Sequence, residues 1–291
     1  SLGSISGASH ALTTYSGSGN QAFAGAAALS TLTINLTGTI TQTGAIAATN
    51  LLFVGAQTIT LTNTNNSIGT VAANGVSSMA LTNHANLAIG TVTGVSGITS
   101  AGAITLNVTG NLTINQNITI SGNGIAQLNA SGIFTIASAK SISTFNGNII
   151  IDPLQFVNNA GSGALSTGGS GAYWQIWSTN SDPFNTNPAI GDVIGGLAYN
   201  YKQYNASYGV TAVLGTGNGL LYTLAPTVTA SLVGTITKGY DGGASASYAS
   251  ANYSLSGVVG GDTVTINNPT SGIYTSVGTA PGSGSTGIAN V

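Results

Sequence analysis

Arginine, glutamate and cysteine are missing from this 291-residue chain, and from Ser1 to Ala139 there is no charged side chain of any kind. Lys140, Lys202, Lys238, Asp152, Asp182, Asp192, Asp241 and Asp262 are the only ionic groups, for a formal charge of -2. Without cysteine there is neither a disulfide scaffold nor a thiolate metal site, so stability rests on packing and hydrogen bonding. Without a basic face there is nothing to neutralise phosphates, which excludes nucleic acid as a partner and also attraction to an anionic membrane surface. The longest apolar runs, such as Ile149 to Ile151 and Leu51 to Val54, fall far short of the ~20 residues that span a bilayer as a helix. No stretch of ten residues carries helical spacing, and no basic and apolar leader follows Ser1, so a signal peptide is expected to be removed or to lie upstream in a longer precursor.

What the chain has instead is β-branched and aliphatic residues interleaved with Thr, Asn and Gly. An apolar fraction of 42% is enough for a continuous core, and near-neutrality with abundant Ile, Val and Thr is unlike a disordered segment. Self-similarity is present: Ile59-Thr60-Leu61-Thr62-Asn63 with Ser67-Ile68-Gly69-Thr70-Val71 returns as Met79-Ala80-Leu81-Thr82-Asn83 with Ala88-Ile89-Gly90-Thr91-Val92, an offset of 20 to 21 residues. Ala103 to Asn107, Asn111 to Asn115 and Asn117 to Ile120 repeat the same alternation, with Ile or Leu on one face and Thr or Asn on the other. A period of two is the signature of strands, and the intervening Gly and Asn supply corners.

Short strands joined by corners at this period predict an all-β chain whose residues 1–151 form a parallel β-helix, a solenoid of roughly six or seven rungs spaced at about 4.8 Å. Inward aliphatics fill its core, and outward Thr and Asn stack in neutral ladders without like-charge repulsion. Open strand edges at the end of such a stack need covering. Composition changes at Asp152, where Pro, Trp, Tyr and Asp appear, so residues 152–225 are expected to be a capping and connecting β segment. Residues 226–291 are expected to form a small β-sandwich-like or β-grasp-like domain.

Within those later segments, Tyr173 to Thr179, Gly195-Gly196-Leu197, Tyr201 to Gly209 and Leu221-Tyr222-Thr223-Leu224 resemble the segment that follows the solenoid in filamentous-haemagglutinin-like exoproteins of bacterial two-partner secretion. Lys238-Gly239-Tyr240-Asp241-Gly242-Gly243, followed by Ala251 to Val264, is similar to the start of a YDG-type repeat of those adhesins. The resemblance implies a secreted bacterial surface adhesin or biofilm-matrix fibre, exported by an outer-membrane partner. It implies a non-enzymatic, extracellular, multivalent scaffold within a longer polypeptide, with polysaccharide or a host or cell-surface receptor as partner and self-association into fibres as a further property. No cofactor is implied.

Residue chemistry leaves two other classes open: a carbohydrate-active β-helix enzyme and a self-assembling filament subunit. Polysaccharide hydrolysis needs paired carboxylates, and the five Asp residues are the only candidates; none lies in the expected solenoid body, and Asp152, Asp182 and Asp192 each sit beside Pro or Gly where Asp serves a turn. His10 and His84 have no carboxylate near them in sequence to complete a triad. The oxygens of Asp182, Asn185, Asn187 and Asp192 are spaced so that a calcium loop is conceivable. Tyr199, Tyr201, Tyr204 and Tyr208 form the densest aromatic cluster, a sugar-stacking candidate whose alternative is packing, with Trp174 and Trp177, of the solenoid end.

Overall fold

A computed structural model of the chain describes residues 3, 5–7, 9–234, 245–266, 271–274 and 289–290. The chain divides into two compact units, Ser1–Ala225 and Pro226–Val291. The first is a parallel β-solenoid of about nine turns, built on one 21-stranded sheet. At about 4.8 Å per rung the stack is on the order of 40 Å long. Among the described residues the only helix is the three-residue 3-10 turn Ser250–Asn252, so the all-β, parallel solenoid expectation is met.

The alternation in the sequence is the alternation in burial. Along Gln57–Leu61, Ile59 and Leu61 point inward while Thr58 and Thr60 point out. Ile104–Val108 does the same with Ile104, Leu106 and Val108 inward. Because the rungs stack in register, each inward position becomes a column. One runs Leu61, Leu81, Leu106, Leu128, Ile151, Ile176 and Leu220 along one face. A second runs Leu32, Leu51, Val71, Ile89, Ile114 and Ile136. A third runs Ala73, Ile98, Ile118, Ile142 and Leu165. These columns fuse into one core. Parallel pairing continues past Ile151, through Ile149–Asn158, Trp174–Ser178 and Gly219–Tyr222.

Early rungs use long bent strands, such as Ile46–Val54 and Ser67–Val76. One rung carries an excursion. After Ile89 the chain leaves the stack as an antiparallel hairpin, Thr91–Val92 against Val95–Ser96, and rejoins it at Ile98. The hairpin has a chemical cause: Leu52 and Ala72 face outward, and Val92 and Val95 fold over them to make a small external apolar cluster with Val54. Its two-residue turn places Thr93 at φ 49 and Gly94 at φ 84, the left-handed pair that a tight hairpin requires.

Three carboxamides are fully buried inside the stack, Gln57, Asn66 and Asn83, and the two asparagines complete backbone pairing. Asn83 takes the place of a missing strand: its Oδ1 accepts the Ile68 N–H at 2.8 Å, and its Nδ2 donates to the Ile68 carbonyl at 3.0 Å and the Ala85 carbonyl at 2.8 Å. Asn66 does likewise one rung earlier, accepting the Ile46 N–H at 2.8 Å while pairing reciprocally with the Gln42 amide at 2.8 and 2.9 Å. Each satisfies backbone groups that would otherwise be orphaned in a dry interior.

The unit Pro226–Val291 is antiparallel where described: Thr229–Leu232 pairs with Tyr253–Ser256, and Ser271–Tyr274 pairs with both Ser245–Ser247 and Ala289–Asn290. Tyr248 is buried there and lies 6.2 Å from the Tyr253 ring, centroid to centroid. The Lys238 to Gly243 motif lies outside the described residues.

Candidate functional site

The tyrosine cluster is drawn to the last rungs by apolar side chains that the solenoid leaves exposed there. Phe184, Tyr204 and Tyr222 form one aromatic group, with ring centroids 5.6, 5.0 and 5.9 Å apart, and Phe184, Tyr199 and Tyr204 pack against the main core. Outward-facing Ile150, Trp177 and Leu221 make a second group, covered by Ala206, Tyr173 and Tyr201. The Tyr201 ring lies on Gly215 and Gly219, where any Cβ would collide with it. Gln175 Nε2 donates to the Tyr201 hydroxyl at 2.8 Å, and the Trp177 indole N–H donates to Gln175 Oε1 at 3.3 Å. Burial pushes the Tyr201 hydroxyl above its ordinary pKa, the Gln175 bond opposes this, and nearby Tyr173 adds to it. Lys202 Nζ sits 5.5 Å above the Tyr199 ring. Tyr199, Tyr201 and Tyr204 are thus half-buried packing groups. Tyr208 differs: it is exposed, its ring meets Trp177 edge-on at 5.5 Å, and Gln127 Nε2 lies 2.6 Å from its hydroxyl.

The loop from Asn180 to Asp192 spends its oxygens on its own fold. The side-chain oxygens of Asn180, Asn185 and Asn187 accept the backbone N–H two residues on, at 2.9, 2.9 and 3.0 Å, in successive Asx turns. Asp182 Oδ2 takes the Asn185 amide at 2.6 Å. Asp192 departs from the turn role expected of it: its Oδ1 accepts the Phe156 N–H and the Asn180 amide, both at 3.1 Å, and so fastens the loop to a solenoid strand. Desolvation pushes its carboxyl above the ordinary 3.8, while contacts from Ser178, Asn180 and the Phe156 N–H pull it back. Asp182 and Asn185 are therefore brought together, Asn187 is exposed, and Asp192 is turned towards the strand. Among the described residues, no group of three or more histidines or carboxylates gathers.

Asp152 also departs from expectation. It lies within the strand Ile149–Asn158, in register with Asn129, rather than at a turn. Pro153 does not break that strand because it sits where the pairing between Ala130 and Ile133 shifts, a position that needs no ladder N–H. The consequence is an outward column Thr82, Asn107, Asn129 and Asp152, one residue per rung. This column lies in an open groove of about 290 Å³ with Val108, Ala130 and Pro153 beneath it and Thr109, Ser131 and Thr179 on its rim. Asn129 Nδ2 donates to Asn107 Oδ1 at 2.7 Å, and Gln127 Nε2 reaches Asn129 Oδ1 at 3.4 Å. Asp152 is half-buried, and desolvation alone pushes its carboxyl above 3.8. Sequence reasoning missed this groove, although Asn107, Asn129 and Asp152 recur about one rung apart.

The remaining candidates are dispersed. His10 is exposed, its Nδ1 2.8 Å from the Gly7 carbonyl oxygen, and His84 is an exposed residue tied through its backbone to Asn66. No helix of the described residues is long and apolar enough to cross a membrane. The chain matches no family model, no curated protein and no solved structure.

Proposed function

We propose that this chain is the stiff, multivalent segment of a secreted bacterial surface adhesin or biofilm-matrix fibre. The observation that carries the reading is the continuous stack itself: a dry aliphatic column from Leu61 to Leu220 inside, and a nearly uncharged Thr and Asn exterior outside. Such a stack resists bending because every rung is hydrogen-bonded to its neighbours, and its exterior offers repeated neutral contacts that act in series. Residues 152–225 serve it as a cap: the aromatic group of Phe184, Tyr204 and Tyr222 closes the core, and the last edge is the three-residue strand Tyr201–Gln203, which carries Lys202. Short, lysine-bearing edges suppress end-to-end pairing. Residues 226–291 act as a small β domain of the YDG type, and the whole is exported by an outer-membrane partner to the cell surface.

The test is attachment. Beads coated with the purified chain should cluster with, or adhere to, bacterial or matrix-coated surfaces as coating density rises, steeply because the contacts are multivalent. Adhesion equal to that of beads coated with an unrelated neutral protein at every density would refute the reading.

A further inference from the structure

The groove over Thr82, Asn107, Asn129 and Asp152 has a chemistry that selects its occupant. Along it runs a row of hydroxyl, carboxamide and carboxylate groups at the spacing of the rungs, about 4.8 Å, with the small, buried Val108, Ala130 and Pro153 beneath. An extended peptide gains affinity by adding to a free strand edge, but the strands of this face pair with a neighbour on either side as far as Ile151, and just beyond it the Pro153 carbonyl accepts the Thr179 N–H at 3.0 Å. A phosphate-bearing polymer meets a carboxylate and no cation among the lining residues. A divalent cation needs several converging oxygens, whereas Asn107 Oδ1 and Asn129 Oδ1 already face amide donors. What suits the row is a neutral polymer carrying many hydroxyls.

Asp152 supplies the second observation. Its carboxylate is half withdrawn from water, and among the described residues no side chain donates a hydrogen bond to it, since the Asn129 amide is turned towards Asn107. A carboxylate so placed is satisfied by donors from outside the chain, and a pair of sugar hydroxyls is such a donor. Tyr208 closes one end of the same face: its hydroxyl meets Gln127, which reaches Asn129, and its ring stands exposed beside Trp177. A partly exposed ring beside a polar row is a stacking surface for a sugar face.

We infer that this groove binds a neutral polysaccharide chain laid across the rungs, with Asn107, Asn129 and Asp152 bonding its hydroxyls and Tyr208 packing on a terminal sugar ring. The inference rests on the adhesive reading only for its biological use and names a ligand class for it.

The experiment is a titration of the full chain with neutral hexasaccharides of β-linked glucose, α-linked glucose and mannose, and with a uronic-acid hexasaccharide as the anionic comparison. Side-chain amide signals of Asn107 and Asn129 should move with at least one neutral sugar and not with the anionic one. Asp152→Asn, which keeps shape but loses an acceptor, should weaken binding about tenfold, worth about 1.4 kcal/mol. Asn129→Ala should do the same, and Tyr208→Ala should weaken longer sugars more than short ones. Thermal unfolding of each variant separates lost binding from lost folding, and Asn107→Ala substitutes for any variant that fails to fold. No movement of these amides with any neutral sugar at millimolar concentration, or binding unchanged in both Asp152→Asn and Asn129→Ala, overturns the inference. Attachment by a parent chain that binds none of the neutral sugars sinks the groove but leaves the adhesive role standing. Sugar binding without attachment does the reverse.

Discussion

Replacing Asn83 tests whether a side chain truly stands in for a strand. In Asn83→Ala the Ile68 N–H and C=O lose their partners at 2.8 and 3.0 Å inside a stack where Asn83 itself is fully buried, and the Ala85 carbonyl loses its donor as well. Each buried group left unsatisfied costs about 1–3 kcal/mol, so the two Ile68 groups together cost about 2–6 kcal/mol. For a unit of this size that is a melting point lower by roughly 4–24 °C if the stack melts cooperatively. Solenoids unfold locally as well as globally, so the sharper readout is hydrogen exchange. The Ile68 amide should lose its protection while the amides of Leu106 and Leu128 keep theirs.

The Asp variant separates geometry from charge. Asn83→Asp keeps an acceptor for the Ile68 N–H but aims a carboxylate oxygen at the Ile68 and Ala85 carbonyls. Burial and repulsion raise such a carboxyl's folded pKa above its unfolded value, so the folded state binds the proton more tightly and stability falls as pH rises between the two values. Asn83→Asp should therefore be less stable than Asn83→Ala at neutral pH and recover on acidification. If Asn83→Ala melts within about 0.5 kcal/mol of the parent and Ile68 stays protected, then the side chain is not completing the ladder and the reasoning fails.

The hairpin turn offers a gain instead of a loss: Thr93 holds a β-branched side chain at φ 49, which costs about 1–2 kcal/mol, and Thr93→Asn should recover about 1 kcal/mol, read as slower amide exchange at Ser96. Unchanged or faster exchange would count against a strained turn. Asp192 and Asp152 both have folded pKa values raised by desolvation above 3.8, so each contributes stability that is present in acid and is lost as pH climbs from about that value through the higher folded one. Asp192→Asn keeps the acceptor for the Phe156 N–H and replaces a buried Oδ2 that has no hydrogen-bond partner, so it should raise the melting point at pH 7 and flatten its decline between acid and neutral pH. A melting point lower at pH 7, with the slope unchanged, would show that the ionised carboxylate is needed for the loop to hold.

How much of this was legible in the sequence follows from what repeats. Inward positions such as Ile59, Leu81 and Leu106 announce themselves, because a period of two within a strand and a near-constant offset between strands are local properties. The Asn66 and Asn83 plugs do not, since an Asn at a corner serving its own turn and an Asn reaching into the core to replace a strand have the same sequence neighbourhood. The hairpin at Thr91–Ser96 hides for a related reason: its purpose is to cover Leu52 and Ala72, which belong to other rungs. Tyr201 and Trp177 read as packing groups of the solenoid end, but what they shield does not, because Ile150 sits in a run of three isoleucines whose inward and outward members are chemically alike. The groove is the case between. Its floor is written in the chain as polar residues recurring at about the rung offset, Asn107, Asn129 and Asp152, but only the register turns recurrence into adjacency. In a stacked fold, then, the core is specified along the chain while any site on its surface is specified across it, and a carboxylate such as Asp152 acquires its meaning from the residue one rung away rather than from the proline beside it.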